Sequence, residues 1–469
     1  MNLTVDITNC GKISNASVEI APFTMIGGAN SSGKSFITRS LYSIFNVISN
    51  NTLNDIGDEI VNRITRMVSS AELELLSPSK AVIEGYDTLI KQTEEFEKSL
   101  EFLLDDKSLS YSARMKFLTE SIDSMRLVCD DILSTVKDIN KYEEYKTSIE
   151  FVDFSLSNFY QLVVNPSKVF SNNIDGKLKE ELKDNFQIVE LSDLKNNNST
   201  ASETVRFIFE GYGHLEISKD KDLVYSRFDI SKTKQLEEIS NVVFLESPVY
   251  WKLRKTLVKS ERSYMRRFIR QRAERLTGIP KYFLDLVDMV EAKYKPSEED
   301  KEVRSLYHEI EALIGGELQI LDSGDICFKE ANSKKNININ LTASGITNLG
   351  IISLLLKQNV IKKGSFIIID EPEVNLHPAW QKVLVDILYK LSNLGVNIII
   401  ASHSVDMFKY VENIMEALPE DKVSKHFAVN HLSSEGKTIN SEFSNYDKLT
   451  YIKDELNSSY VEMFMEGHW

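Results

Sequence analysis

The sequence predicts an α/β fold, a mixed sheet flanked by helices, broken by a large and mainly helical insertion. Two observations carry this reading. Apolar runs that read as buried strands stand near both ends of the chain: Ala21-Pro22-Phe23-Thr24-Met25-Ile26 early, then Phe366-Ile367-Ile368-Ile369 and Val396-Asn397-Ile398-Ile399-Ile400 late. Residues at helical spacing follow them, as expected of strands covered by helices. Between the two ends, from about 36 to 195, the chain is nearly free of Gly and Pro and reads as successive helices.

Taken in order, Leu3, Val5 and Ile7 alternate, and Val18 and Ile20 resume after Cys10-Gly11-Lys12. That pattern predicts an antiparallel hairpin leading into the Ala21–Ile26 strand. Next comes Gly28-Ala29-Asn30-Ser31-Ser32-Gly33-Lys34-Ser35, which fits G-x-x-x-x-G-K-[ST] between a strand and a helix with Phe36, Ile37, Leu41, Ile44 and Phe45 on one face. In that context the motif is a P-loop. Gly28 and Gly33 let the backbone curl, so that N–H groups from Asn30, Ser31, Ser32 and their neighbours can point at phosphate oxygens, and a helix N-terminus adds its dipole. Lys34 would reach the β- and γ-phosphates, and the Ser35 hydroxyl would join Mg²⁺.

In the insertion, Leu118, Ile122, Met125, Cys129, Ile132, Val136 and Ile139 recur in alternating steps of four and three. This is a short heptad seam, suited to a helical lobe rather than a long arm, since 22 helical residues span only ~33 Å. Asn196-Asn197-Asn198-Ser199-Thr200 is a polar break. Short strands are expected over 204–209, 213–217, 223–225 and 242–245, and again at 318–321 and 326–328. The organisation that follows is residues 1–45 as the first part of the head, 46–195 as the helical lobe, 196–250 as a β-rich part, 251–315 as a basic helical segment, and 316–469 as the second part of the head.

Composition bounds the function. The 469 residues carry a net charge of −15, which excludes a generic attraction of the whole surface to nucleic acid. One segment runs against that balance: Lys252, Arg254, Lys255, Lys259, Arg262, Arg266, Arg267 and Arg270 lead a basic stretch that continues to Arg275. Such a stretch suits contact with a DNA or RNA backbone, and equally a helix face whose arginines pair with the surplus carboxylates. No run approaches the ~20 apolar residues of a membrane span, so no membrane association is expected. The N-terminus shows no secretory signal. Cys10, Cys129 and Cys327 are too dispersed for a disulfide framework or a zinc site, and a cytoplasmic protein is expected.

The second half returns to phosphate chemistry. Phe366–Ile369 delivers Asp370 and Glu371 to a strand end, where Asp370 would hold Mg²⁺ and Glu371 would orient or deprotonate a water. Asp370 lies 336 positions after Lys34, so the fold must tolerate a large insertion between them. That points to the ATP-binding-cassette branch. Leu341-Thr342-Ala343-Ser344-Gly345-Ile346 precedes an apolar helix about twenty residues before the Asp370 strand, where Ser344 and Gly345 can cap a γ-phosphate. Pro372-Glu373-Val374-Asn375-Leu376-His377-Pro378 stands in the D-loop position, and His403, closing the last strand, resembles the switch histidine with which cassette ATPases sense the γ-phosphate.

With these residues in place, "ANSSGKS", "LTASGI", "IIIDEPEVNLHP" and "IIIASHS" resemble the RecF/Rad50-like ABC ATPases. Within that group they look most like the OLD-type and related anti-phage ATPases (PtuA- or AriA-like). The resemblance covers 1–45 and 337–410. It implies an ABC-type ATPase head that uses ATP and Mg²⁺, and a head-to-tail homodimer with ATP sandwiched between Lys34 and Ser35 of one copy and Ser344 and Gly345 of the other. Ile346-Thr347 replaces the family's second glycine and glutamine, a departure that implies slow turnover. Only 66 residues follow His403. That is short for the Toprim nuclease domain of the OLD proteins, so a separate nuclease or toxin effector is expected. The competing reading is a RecF-like repair ATPase that clamps DNA.

Overall fold

The computed structural model describes residues 1–49, 52–73, 78–105, 111–137, 139–164, 166–199, 203–218, 222–228, 239–246, 248–268, 276–291, 301–321, 324–333, 335–439 and 441–466. The chain divides into two compact units, Met1–Asn50 with Asp175–Trp469, and Asn51–Ile174.

The larger unit begins with β1 (Leu3–Cys10), β2 (Ile13–Ile20) and β3 (Phe23–Gly27), followed by α1 (Lys34–Ser49). β1 and β2 form the expected hairpin, pairing Leu3 with Ile20 and Cys10 with Ile13. Gly11, at φ +55, makes the turn between them, with no side chain to collide with the Phe36 ring.

The smaller unit is built from α2 (Thr52–Leu73), α3 (Lys80–Asp105), α4 (Tyr111–Val136) and α5 (Glu143–Val164), and the unit boundary falls inside α6 (Pro166–Phe186). Its core is one apolar cluster that includes Leu118, Ile122, Met125, Cys129, Ile132 and Val136. Six of the seven seam residues are thus buried. Ile139 is not: α4 has ended by then, and the side chain is exposed. Arg126 Nε donates to Asp153 Oδ1 at 2.9 Å and ties α4 to α5.

The helical unit is narrower than the expected 46–195, for a physical reason at each end. The whole of α1 belongs to the larger unit, and from Asp175 onwards α6 joins it. There Asn46 Nδ2 and Asn185 Nδ2 both donate to Glu181 Oε1, at 2.9 and 3.1 Å, a buried amide–carboxylate knot between α1 and α6.

Beyond α6 come β4 (Val205–Phe209), β5 (Gly213–Ile217), β6 (Val224–Phe228) and β7 (Val242–Leu245). The basic region forms α7 (Val249–Phe268), then α8 (Lys281–Glu291) and α9 (Lys301–Ile314). All three lie in the larger unit. There follow β8 (Gly316–Ile320), β9 (Ile326–Glu330), β10 (Asn336–Asn338), α10 (Ser344–Lys357), β11 (Phe366–Asp370), α11 (Pro378–Asn393), β12 (Asn397–Ala401), α12 (Val405–Glu416), α13 (Glu420–His426), β13 (Phe427–Leu432), β14 (Thr438–Ile439) and α14 (Asn445–Glu466).

Three sheets result. A six-stranded sheet runs β14-β13-β3-β12-β11-β7, all parallel apart from β14; a five-stranded antiparallel sheet runs β2-β1-β4-β5-β6; a three-stranded antiparallel sheet runs β10-β9-β8. The expected α/β architecture, a sheet flanked by helices, is therefore present. β3, β11 and β12 are buried at every position, as parallel strands covered on both faces must be. Among the described residues no helix is long and apolar enough to cross a membrane.

Packing in the helical unit can be tested on one helix. Phe159 lies in the α5 core and Phe154, on the same helix, is 61% exposed. Phe159→Ala should destabilise the unit by about 3–5 kcal/mol, whereas Phe154→Ala should stay within about 0.5 kcal/mol. Hydrogen exchange of the α5 amides in the full chain measures both, and equal effects would contradict the packing described.

Candidate nucleotide site

The C-terminal ends of β3, β12, β11 and β7 lie on one edge of the parallel sheet, and the P-loop, Asp370, Glu371 and the His403 turn stand at that edge. The chain leaves β3 through Gly28, at φ +148, where a Cβ would stand 2.3 Å from the Leu432 carbonyl oxygen. Only glycine fits that approach. Ser31 adopts φ 62 and Gly33 φ +101 before α1 begins at Lys34. Asn30 and Ser31 are exposed, Ser32 is buried and Ser35 half-buried. Lys34 Nζ folds back on the loop, donating to Gly28 O at 2.9 Å, Ala29 O at 3.0 Å and Ser32 Oγ at 3.5 Å. Burial holds this ammonium below its ordinary value, against the pull of Glu371, Asp370, Glu373 and Glu455.

Asp370, the last residue of β11, is 3% exposed. Desolvation pushes its carboxyl up to about 6, opposed by a hydrogen bond from Ser35 and by the charge of Arg39. Its Oδ1 is buried without a hydrogen-bond partner among the described residues. A buried carboxylate oxygen with nothing to accept, beside the Ser35 hydroxyl, suits a hard, oxygen-liganded cation such as Mg²⁺. Among the described residues no cluster of three or more His, Cys, Asp or Glu could hold a metal unaided. An ion here would need further oxygens, and a triphosphate carries them.

The loop after β11 continues into Glu371, whose N–H donates to Ala401 O at 2.9 Å and whose backbone is held at φ 52. A positive φ in a non-glycine residue is strained by roughly 1–3 kcal/mol and tends to mark functional loops. The Glu371 side chain is 44% exposed, with Oε1 3.7 Å from His403 Nδ1. His403 is braced from below by Glu373, whose Oε1 accepts from the His403 N–H at 2.6 Å and from Ser402 Oγ at 2.9 Å. Ser344 opens α10, and its hydroxyl donates to Asn375 O in the loop after Glu371. Gly345 packs where a Cβ would stand 3.1 Å from Leu376 and 3.3 Å from Trp380.

The sheet edge therefore brings Lys34, Ser35, Asp370 and Glu371 together, with His403 beside Glu371. Ser344 and Gly345 lie against the Asn375 loop instead, and among the described residues no hydrogen bond joins Ser344 to the P-loop. Sequence reading missed three partners. Glu373 was passed over as part of a loop motif. Arg39 stands one helical turn beyond Ser35 and donates through Nη2 to Glu246 Oε1 at 2.9 Å. Glu246, just past the end of β7, is held on its other oxygen by Tyr282 OH at 2.6 Å. A basic residue four positions after the P-loop serine was the visible signal for the first of these contacts.

The basic segment needs correcting. Arg254 is buried and donates to Glu291 Oε1 at 2.9 Å and to the Gly324 carbonyl, so it is not a surface contact for phosphates. Lys255 pairs with Asp325, and Lys252 Nζ donates to Thr342 O at 3.2 Å. The chain's own carboxylates and carbonyls satisfy these charges. Lys259 is exposed. The side chains of Arg262, Arg266 and Arg267, and the whole of Arg270, lie outside the described residues.

A family model described as AAA ATPase domain matches residues 1–408. The energy-coupling factor transporter ATP-binding protein EcfA of Methanococcus maripaludis is 32% identical over 75 residues, 16% of this chain and 27% of that protein. The chain thus matches about a quarter of the length of that curated relative. Similar solved structures include an SMC head bound to the C-winged helix domain of ScpA, at 13% identity, 87% coverage of this chain, 91% of that chain and a TM-score of 0.36. The SMC head domain from Thermotoga maritima aligns at 10% identity, 87% and 92% coverage and a TM-score of 0.35.

Asp370 makes a pH-dependent prediction. Folding lifts its carboxyl from 3.8 to about 6. At pH 7 the ionised group therefore opposes folding, by about 3 kcal/mol for a rise of that size. The opposition shrinks as pH falls through 6 and is gone below about 3.8. In protein free of nucleotide and metal, Asp370→Asn should raise the melting temperature at pH 7.5, and the gain should be roughly halved at pH 5. A variant that melts lower than wild type at pH 7.5 would overturn the assignment of a desolvated charge.

Proposed function

The chain belongs to the AAA ATPase domain family, and we propose that it binds ATP at the sheet edge described above and works as an ATP-gated dimer. The observation that carries this reading is the meeting of Ser35 with Asp370, whose second oxygen is buried and unpartnered, beside the buried Lys34. Phosphate oxygens and a divalent cation are what that combination lacks.

In this reading the N–H groups of 28–35 and the α1 N-terminus receive the phosphates, and Lys34 exchanges the Gly28 and Ala29 carbonyls for the β- and γ-phosphates. Ser35 and Asp370 would hold Mg²⁺, which when bound neutralises charge on the phosphates. Glu371 projects from a strained backbone toward solvent, placed to orient or deprotonate a water for attack on the γ-phosphorus. His403, fixed by Glu373, faces the same region as Glu371 and reads whether the γ-phosphate is present. Ser344 is bonded to the Asn375 loop and not to its own P-loop among the described residues, and in this reading it serves the nucleotide of a second copy. Leu341, three residues before it, is 79% exposed and supplies an apolar contact for that copy.

At the level of the cell we propose the sensor or regulatory subunit of an anti-phage system that controls a separate nuclease or toxin. The motif phrases of the two head segments support this. A RecF-like clamp on DNA is the other outcome of the test.

Lys34→Ala should weaken binding of a fluorescent ATP analogue by roughly tenfold to a hundredfold, the loss of charged hydrogen bonds worth about 1.5–3 kcal/mol; unchanged affinity would overturn the site. Glu371→Gln with ATP and Mg²⁺ should accumulate dimer by light scattering, and a monomer under those conditions would overturn the gating. Tight, ATP-dependent, salt-sensitive DNA binding by the chain alone would replace the regulatory reading with the clamp.

A further inference from the structure

The loop between β11 and α11 touches two parts of the site that have no direct bond to each other. On one side it grips the turn after β12. Glu373 is 7% exposed, and its Oε1 accepts both the His403 N–H and the Ser402 hydroxyl. Its Oε2 is buried with no hydrogen-bond partner among the described residues. His403 Nδ1 stands 3.1 Å from Oε1, near enough for charge attraction but not aligned for a hydrogen bond. Gln381, from the first turns of α11, adds a second strut: its Oε1 accepts from Ser404 Oγ at 2.8 Å while its Nε2 donates to Leu376 O at 3.0 Å.

On the other side the same loop supports the start of α10. Asn375 O accepts from Ser344 Oγ, and Leu376 packs against Gly345. The loop is stiff between these points, because Val374 N–H donates to Glu371 O at 3.1 Å and Leu376 N–H to Glu373 O at 3.0 Å. Overlapping turns of that kind transmit a displacement instead of absorbing it. From Glu373 to Asn375 is two residues.

We propose that Glu373 is a positioning residue that latches the His403 turn to the loop carrying Asn375, so that His403 and Ser344 of one chain move as a single body. The inference rests on the proposed ATP-gated dimer. There His403 senses the nucleotide on its own P-loop while Ser344 caps the nucleotide of the second copy, and the latch joins the two sites. A side chain as short as Ser or Thr could not span the two loops. A carboxylate buried with one oxygen unpartnered is a poor choice for stability alone, which points to geometry as the reason for its presence.

The test uses the full chain with ATP and a non-hydrolysable analogue. Glu373→Ala should lower kcat by about tenfold to a hundredfold, as expected when reacting groups are misplaced by ~1 Å, with affinity for the analogue kept within about threefold. Glu373→Gln retains an acceptor for both donors and should recover kcat to within about threefold of wild type. Unchanged kcat in Glu373→Ala, an equal loss of affinity, or a Gln variant as slow as the Ala variant would each overturn the latch. If the Ala variant fails to fold, Ser402→Ala carries the test. Removing one of the two donors should lower kcat while affinity stays, and an unchanged kcat overturns the inference. A wild-type chain that binds no analogue would overturn the proposed function as well, whereas normal wild-type turnover beside a normal Glu373→Ala removes the latch alone.

Discussion

One rung of the parallel sheet sets the geometry on which the site depends. Ala401 pairs with Ile26 of β3 on one side and with Asp370 of β11 on the other. Strands about 4.8 Å apart therefore hold the start of the P-loop and the Asp370 carboxylate roughly 10 Å from each other, on the same edge, with the His403 turn between them. In the proposed reading the phosphates and an ion lie across that spacing. It also explains why the insertion is tolerated. β3 and β11 never pair, so the chain between them has only to deliver β11 to the far side of β12, in parallel and in register. A connection of any length meets that requirement if it can bury its own apolar residues, and the helical unit has a core of its own.

Two buried charges meet at that edge, and the fold satisfies neither fully. Lys34 leans on two carbonyls and a hydroxyl, acceptors weaker than a phosphate oxygen. Asp370 keeps one oxygen dry. Burying a group without its best partner opposes folding, and the surrounding structure over-determines the strain that results. The non-glycine residues at positive φ in this region, Ser31, Glu371 and Asn375, each lie within a few residues of a candidate ligand. Arg39, Glu246 and Tyr282 form a hydrogen-bonded chain near Asp370, whose carboxyl feels the charges of Arg39 and Glu246.

The backbone of this picture was legible because its signals are local. Buried strands announce themselves as apolar runs ended by polar turns, and Phe366–Asp370 and Val242–Leu245 fall where those runs fall. The heptad of α4 was legible up to Val136 and failed at Ile139, since periodicity continues past a helix end that only tertiary packing sets. The boundary inside α6 could not be read at all. The helix is continuous, and what changes at Asp175 is the company its side chains keep. The same limit hid Glu373, Arg39 and Glu246, and it made Arg254 look like a surface cation. Each draws its role from a partner 29 to 207 positions away. Sequence shows that a charge exists; its partner appears only when the sheet is assembled.

Net charge sharpens the argument about what can bind. A chain at −15 repels an anionic nucleotide at long range, so electrostatic steering cannot account for a site of this kind. At physiological salt, however, exposed charges more than about 8 Å apart are largely screened. In the proposed reading, what a triphosphate meets on arrival is the near field: the backbone of the Gly28–Ser35 loop, the positive end of α1 and a buried lysine. Those terms act at contact distance and are strengthened by the burial that makes them expensive in its absence. The acidic surface then works as a filter. It disfavours anions except where local donors outweigh it, and in the proposed reading the loop from Gly28 to Ser35, which opens onto α1, is such a place.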